Sequence, residues 1–395
     1  MILKYPYPYK AWFTIANDPD NTLIRDWREL NSFIWDELEL PLGNTLFIKS
    51  FNNNLPDQVN LDDNPEILSQ YHDILHTWGD YMHSRKNGFD RLDAIEAIEI
   101  LKKKSINPKV WIDHSKFIGN LLHSSKKGSI PNTYDGSGIV YNNYVYTLDL
   151  IKQVGIRYIW NGKISGLIGQ DRKVSAYEYF NLTCLSRYKA IIKTLLSSIV
   201  KFKNLKIKLG LEIPNNKQYF PYLFPDGNKL YCFIRYGTWK DSDIYGLGKI
   251  IPPSIIDKLI ENNSTMVVYT HLGKRPESKK DMSFHIPNVT KDSLRYISRK
   301  FHDKLLMISP LSTMLDYLII RDNIKLFPEK NIIELIPDGI RFENILQSDL
   351  SGKKFSFKHN NIFELNNIMV ISNDKSLNFD IKTEKNNNIF SLTFK

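Results

Sequence analysis

The chain has 395 residues, 42% of them hydrophobic and 24% charged, so it can bury a large core and is not a disordered segment. Its 53 basic and 43 acidic residues leave a net charge of +10. The lysines are scattered, and the runs LKKKS (101–105) and SKKG (125–128) are short, which argues against a nucleic-acid partner. An anionic glycan, a nucleotide-sugar or peripheral contact with a membrane surface suits the mild basic excess equally. The two cysteines, Cys184 and Cys232, have no zinc-type spacing, which excludes cysteine metal chemistry. The opening MILKYPYPYKAWF lacks a charged region followed by an apolar one, and no stretch offers about 18 uninterrupted apolar residues. A soluble, cytoplasmic protein is expected.

Short apolar runs alternate with helical patterns. AWFTIAN (11–17) reads as a buried strand, followed by a helix over 22–38 with apolar residues at helical spacing. NTLFIKSF (44–51) is a strand, NPEILSQY (64–71) a short helix and DILHTW (73–78) a strand. DRLDAIEAIEILKKKSI (90–106) is a helix with Asp90 as its cap, and PKVWIDH (108–114) is the next strand. A helix over 146–155 ends at Gly155 and leads into the strand IRYIWNG (156–162). KLYCFIRYG (229–237), STMVVYTHLG (264–273) and KLLMIS (304–309) continue the strands, with a helix over 252–263 between the first two. This alternation implies parallel strands with helices outside, and at least six such units favour a closed or nearly closed (β/α) barrel. From residue 328 the pattern changes to NIIELI, GIRFEN, KKFSFKH, NIMVIS, FDIKTE and IFSLTF. These short alternating runs predict an antiparallel β module over 328–395, after a barrel of residues 1–327, that is separable from catalysis and suited to binding glycan or a partner.

In parallel barrels the working groups sit at the C-terminal ends of strands. Four strand ends here carry carboxylates or imidazoles: Asp18 and Asp20, His76 with Asp80 four residues on, Asp113 and His114, and His271. Each alone has an ordinary reading: a turn with a helix cap for Asp18-Pro19-Asp20, a core or strand-capping histidine for His76 and His114, a turn residue for His271. His72, His83 and His123 read as structural or solvent-facing. The coincidence at four strand ends is what points to a site, and such a set would suit a divalent metal.

FTIANDPD, DILHTWGD and VVYTHLG, in that order, resemble the first, second and last motifs of the polysaccharide deacetylase (NodB-homology, carbohydrate esterase family 4) superfamily. The resemblance spans about residues 10 to 320. It implies a distorted (β/α)7 barrel, a metal-dependent amide hydrolysis, and a carbohydrate substrate. It assigns Asp18 as general base, His271 as general acid on the opposite side of the scissile bond, and Asp20 and His76 as metal ligands. The usual second histidine is replaced by Asp80, the aspartates are separated by Pro19, and the usual arginine-proline motif is replaced by VWIDHSKFIGN. The third ligand is therefore Asp80 or His114, and the metal Zn²⁺, with Mn²⁺, Co²⁺ or Ni²⁺ compatible. A backbone N–H near Tyr144 to Tyr146 would hold an oxyanion. Trp78, Trp160, Asp171, Arg172 and Arg235 are expected to line the sugar pocket, with Asp171 pairing with His271 or Arg172.

The leading expectation is a de-N-acetylase acting on an N-acylated sugar, a nucleotide-sugar or a lipid-linked glycan precursor of surface-polysaccharide metabolism. The Asp80 departure motivates a second, a catalytically weak or inactive barrel serving as a glycan-binding scaffold. A glycoside hydrolase with two carboxylates is a third, for which the late histidine is less natural. The 21 tyrosines and 7 tryptophans suit a carbohydrate cleft and a large core alike.

Overall fold

A computed structural model describes residues 1–51, 55–64, 72–81, 89–112, 140–141, 144–145, 147–160, 162–174, 178, 216–224, 227–238, 242–274, 283–340, 347–358, 367–384 and 389–395. In chain order they form β1 (Ala11–Asn17), α1 (Ile24–Asn31), β2 (Asn44–Leu46), β3 (Lys49–Ser50), β4 (His72–His76), β5 (Gly79–Asp80), α2 (Arg91–Lys103) and β6 (Val110–Ile112). The hairpin β7 (Val140–Tyr141) and β8 (Tyr144–Val145) follows, then α3 (Leu148–Gln153), β9 (Tyr158–Trp160), β10 (Ile164–Ser165), β11 (Tyr219–Leu223), β12 (Lys229–Phe233) and β13 (Arg235–Tyr236). Next come α4 (Ile244–Ile250), α5 (Pro253–Glu261), β14 (Thr265–Thr270), α6 (Asn288–His302), β15 (Leu306–Ile308) and α7 (Leu311–Asp322). Most expected elements are present. The helix expected over 64–71 lies almost wholly outside the described residues. The cap of α2 is a reciprocal one: Asp90 Oδ1 accepts from the N–H groups of Leu92 and Asp93, and Asp93 accepts from the N–H of Asp90.

The strands form two main sheets, in the orders β10-β13-β14-β1-β15 and β11-β12-β9-β6-β4-β2. Every pairing within them is parallel except β11 with β12. Residues 229–236 connect the sheets, because β12 pairs with β9 while β13, one residue further on, pairs with β14. Among the described residues no ladder closes β15 onto β2, and what they show is a mixed α/β architecture with parallel sheets.

Both faces of these strands are buried, and alternation assigns each side chain to a face. Phe13, Ile15, Leu75, Trp111, Ile159, Cys232, Met266 and Val268 pack on one face with α1 to α6. Trp12, Ala16, Ile74, Ile112, Tyr158, Trp160, Phe233, Val267 and Tyr269 face the other way. That second face is filled by α7, which is buried almost all round, as a helix apolar on every side must be. Trp12 donates to Ser309 Oγ at 2.9 Å, Thr14 to the Ser309 carbonyl at 2.8 Å, and the Tyr158 hydroxyl to Asp316 at 2.5 Å.

Beyond α7 lie β16 (Ile324–Phe327), β17 (Ile332–Leu335), α8 (Gln347–Leu350), β18 (Lys354–Lys358), β19 (Met369–Ser372), β20 (Lys375–Ser376), β21 (Phe379–Glu384) and β22 (Ile389–Phe394). They make two small sheets, β16-β17-β19-β20 and β18-β22-β21, antiparallel apart from the parallel pair β17–β19. Ile333, Leu335, Phe355, Phe357, Val370, Phe390 and Leu392 belong to the same apolar cluster as α7 and the inner strand face, so one core crosses residue 328. The start of the chain joins too: the Leu3 N–H donates to Ser356 O at 2.7 Å and the Lys358 N–H to Met1 O at 2.9 Å. A chain ended at Phe327 exposes the far side of α7. Its thermal unfolding midpoint should fall well below that of the full chain, or its cooperative transition should vanish. An unchanged midpoint would mean that the module contributes nothing to the core.

Asp73, on β4, accepts from the Ser312 N–H at the start of α7 at 2.7 Å. Burial pushes its carboxyl up to about 6, against the pull of the Ser312 hydrogen bonds and the Lys109 ammonium. The folded state therefore binds the proton more tightly than the unfolded one. Stability from this group is full below about pH 4 and is lost as pH rises through about 6. Asp73→Asn keeps an acceptor for Ser312 and removes that loss. Relative to the parent, the variant should gain up to about 3 kcal/mol between pH 4 and pH 7, read by urea unfolding across that range.

Candidate functional site

The inner face changes character at the C-terminal ends of its strands. Two residues past Ala16 stands Asp18, two past Ile74 is His76, two past Phe233 is Arg235, and two past Tyr269 is His271. Side chains two apart on a strand share a face, so apolar positions below hand over to polar ones above. Parallel pairing of β14 with β1 then sets His271 beside Asp18; the Asp18 N–H donates to the Thr270 carbonyl at 2.8 Å.

Asp18 and Arg235 form a buried ion pair with neither side chain exposed. Arg235 donates through Nη1 to Oδ1 at 2.7 Å and through Nη2 to Oδ2 at 3.0 Å, and again through Nη1 to the Ala16 carbonyl at 3.0 Å. The guanidinium lies 3.4 Å from the ring centre of Trp160 and 4.2 Å from that of Tyr269, and these two rings stack on each other. The indole is fixed by its own donation to the Lys163 carbonyl at 2.8 Å. Such a two-toothed pair over aromatic faces is a geometry that arginine can make and lysine cannot.

Asp20 is a quarter exposed and stands between two imidazoles. His76 Nε2 is 3.8 Å from its Oδ1, and His271 Nε2 is 3.7 Å from its Oδ2. His271 Nε2 is also 3.8 Å from Asp18 Oδ2. The other ring nitrogen, Nδ1, lies 2.8 Å from the Ser242 carbonyl, to which it must donate. In the neutral ring Nε2 is thus the lone-pair nitrogen, and it faces the carboxylates. Burial, and then the Asp18 carboxylate, pushes the Tyr269 hydroxyl well above its usual range, so it stays protonated. Two imidazoles and a carboxylate are a donor set suited to Zn²⁺. Among the described residues, however, no group of three or more His, Cys, Asp or Glu side chains is placed to hold a metal ion.

Asp18 and His271 are neighbours on adjacent strands, not opposite one another. The expectation that they flank a scissile bond from two sides is corrected by the β1–β14 pairing, since no sugar fits between groups 3.8 Å apart. Asp80 lies at the end of β5, where its Oδ2 accepts from Gln58 Nε2 at 2.8 Å. Trp78 is fully buried against Trp111, donating to Thr147 Oγ1 at 3.0 Å, and cannot stack on a sugar. Trp160 is equally buried and serves as the floor for Arg235.

Asp171 is at the wrong end of the sheet. Its neighbour Gln170 bridges to Thr265, the first residue of β14, whereas His271 follows the last, which puts them roughly 20 Å apart. Asp171 pairs instead with Arg321 at 2.9 Å and Lys217 at 3.6 Å, and Arg172 pairs with Glu178. Asp113, His114 and Tyr146, like His83 and His123, lie outside the described residues.

Sequence reasoning missed Asn17, Gln58, Ser242 and Tyr269. Tyr269 was legible, being two residues before His271 on the same strand. Asn17 Oδ1 accepts the Leu272 N–H at 2.6 Å, tying the loop after β1 to the loop after β14. No protein-family model, no curated protein and no solved structure matches the chain. Arg235→Met leaves the Asp18 charge buried without compensation and should destabilise the fold by about 3–5 kcal/mol. Asp18→Asn with Arg235→Met removes both charges and should recover most of that loss in denaturant unfolding.

Proposed function

We propose that the chain is a metal-dependent de-N-acetylase acting on an N-acylated sugar of surface-polysaccharide metabolism, built on an incomplete (β/α) barrel of the polysaccharide-deacetylase type. The observation that carries this reading is the Asp20 carboxylate standing between His76 Nε2 and His271 Nε2 beside a locked Asp18–Arg235 pair. The barrel is supported by residues 229–236, which pass from one parallel sheet to the other, and by the order of the three sequence motifs.

Asp20 and His76 would hold a divalent cation, with His114 as the third donor. When bound, the cation supplies Lewis acidity, polarising an amide carbonyl and making a water easier to deprotonate. The protein's own groups manage the proton. Asp18, wholly buried and doubly bonded to Arg235, remains ionised and fixes the charge beside the imidazole. His271 Nε2 is the nitrogen that can take a proton from water or give one to a leaving amine, because Nδ1 is occupied by Ser242. Asp18 then acts mainly by orienting and stabilising the charged imidazole, as a buried carboxylate does for a catalytic histidine.

Acetate release from N-acetylated hexosamines and their oligomers, with and without a chelator, tests the reading. Activity should require a divalent metal, and His271→Ala should lower it by about 10²–10⁴-fold while the protein still takes up metal through Asp20 and His76. Chelator-insensitive release, or full activity in His271→Ala, would contradict it. The full burial of Asp18 favours a second reading, a glycan-binding scaffold without turnover. That reading predicts glycan binding with no acetate released from any of these sugars.

A further inference from the structure

Asp80 occupies the place where the resembling family has a metal-binding histidine, yet its surroundings suit another task. Parallel pairing of β5 with β3 sets Asp80 opposite Ser50, and the Phe51 N–H donates to the Asp80 carbonyl at 2.9 Å. Gly79 permits that approach, because a Cβ there would press into the Lys49 carbonyl. Between Asp80 and the loop after β1 lies the Gln58 side chain, on a residue only 1% exposed. Its Nε2 donates to Asp80 Oδ2 at 2.8 Å and to Ser50 Oγ at 3.1 Å, and its Oε1 accepts the Asn21 N–H at 3.2 Å. Only this orientation of the amide works, since a carboxylate needs a donor and an N–H needs an acceptor.

The Asn21 N–H belongs to the peptide that leaves Asp20. Asn21 is in the left-handed region at φ 56°, a conformation that asparagine accepts in a turn. The backbone on either side is tied to the same segment: Val59 N–H donates to Thr22 O at 2.8 Å and Ile24 N–H to Asp57 O at 2.9 Å. We propose that Asp80 is a positioning residue: through Gln58 it fixes the Asp20–Asn21 peptide and thereby aims the Asp20 carboxylate at the two imidazoles. This rests on the reading that Asp20 is the working carboxylate of the site.

The test compares Asp80→Ala, Asp80→Asn, Gln58→Ala and the double alanine variant in the full-length chain. Asparagine keeps an oxygen for Gln58 but removes the charge a ligand would need. Amide hydrogen exchange of the peptide covering 18–24 should rise by about tenfold or more in Asp80→Ala and in Gln58→Ala, the loss expected for a hydrogen bond to a charged group. The double variant should add little to either, and Asp80→Asn should stay near the parent. Zn²⁺ affinity by competition titration should follow the same order. The proposal is overturned if Asp80→Asn loses Zn²⁺ as fully as Asp80→Ala while the loop stays protected, which is the behaviour of a direct ligand. It is also overturned if neither alanine variant loosens the loop. A parent protein that binds no Zn²⁺ would count against the proposed function, and the exchange comparison alone would then decide the role of Asp80.

Discussion

The buried pair of Asp18 and Arg235 is the constraint around which the upper end of the sheets is organised. Two opposite charges with no exposure are costly unless they are paired, and here the carboxylate takes two guanidinium donors while the guanidinium also reaches a backbone carbonyl. The pair joins β1 to β13, two strands separated in the sheet by β14. Tyr269 lies on that intervening strand and Trp160 at the end of β9. One electrostatic contact thus fixes the relative heights of strand ends from both sheets. His271, just after β14, inherits its position from that frame.

The remainder of the inner face is apolar and answers a different need. Parallel strands buried on both sides require a second cover, and a ring of outer helices supplies only one. The other comes from α7 and the C-terminal sheets, which fill the lower part of the inner face and leave the strand ends above it to polar groups. Asp73 and Asp316 mark the seam, one receiving the start of α7 and the other the Tyr158 hydroxyl. The division is vertical: apolar packing below, buried charges and imidazoles above.

Much of this was legible in the sequence because period-two alternation decides which face a strand residue takes, and the residue types at the strand ends can be read directly. AWFTIAN and TMVVYT gave their strands and, by extension, Asp18 and His271. What could not be read was which strand neighbours which. Pairing of β14 with β1 is a long-range choice, and it alone turns Asp18 and His271 from opposed groups into adjacent ones. Trp78, Trp160 and Asp171 were misplaced for related reasons. An aromatic residue after a strand can turn into the core as well as outward, and Asp171 sits at the far end of β14 through a bridge that no local pattern announces. Gln58 was missed because a single glutamine in a loop carries no periodicity at all.

The central proposal is that Asp20 and His76 hold a divalent cation beside the His271 imidazole. Crystals grown with Zn²⁺ and measured at the zinc absorption edge address it most directly. The account predicts one anomalous peak per chain within bonding distance of Asp20 and His76, lost in Asp20→Asn. No peak at these residues in well-ordered crystals, or a peak that survives Asp20→Asn unchanged, would contradict it.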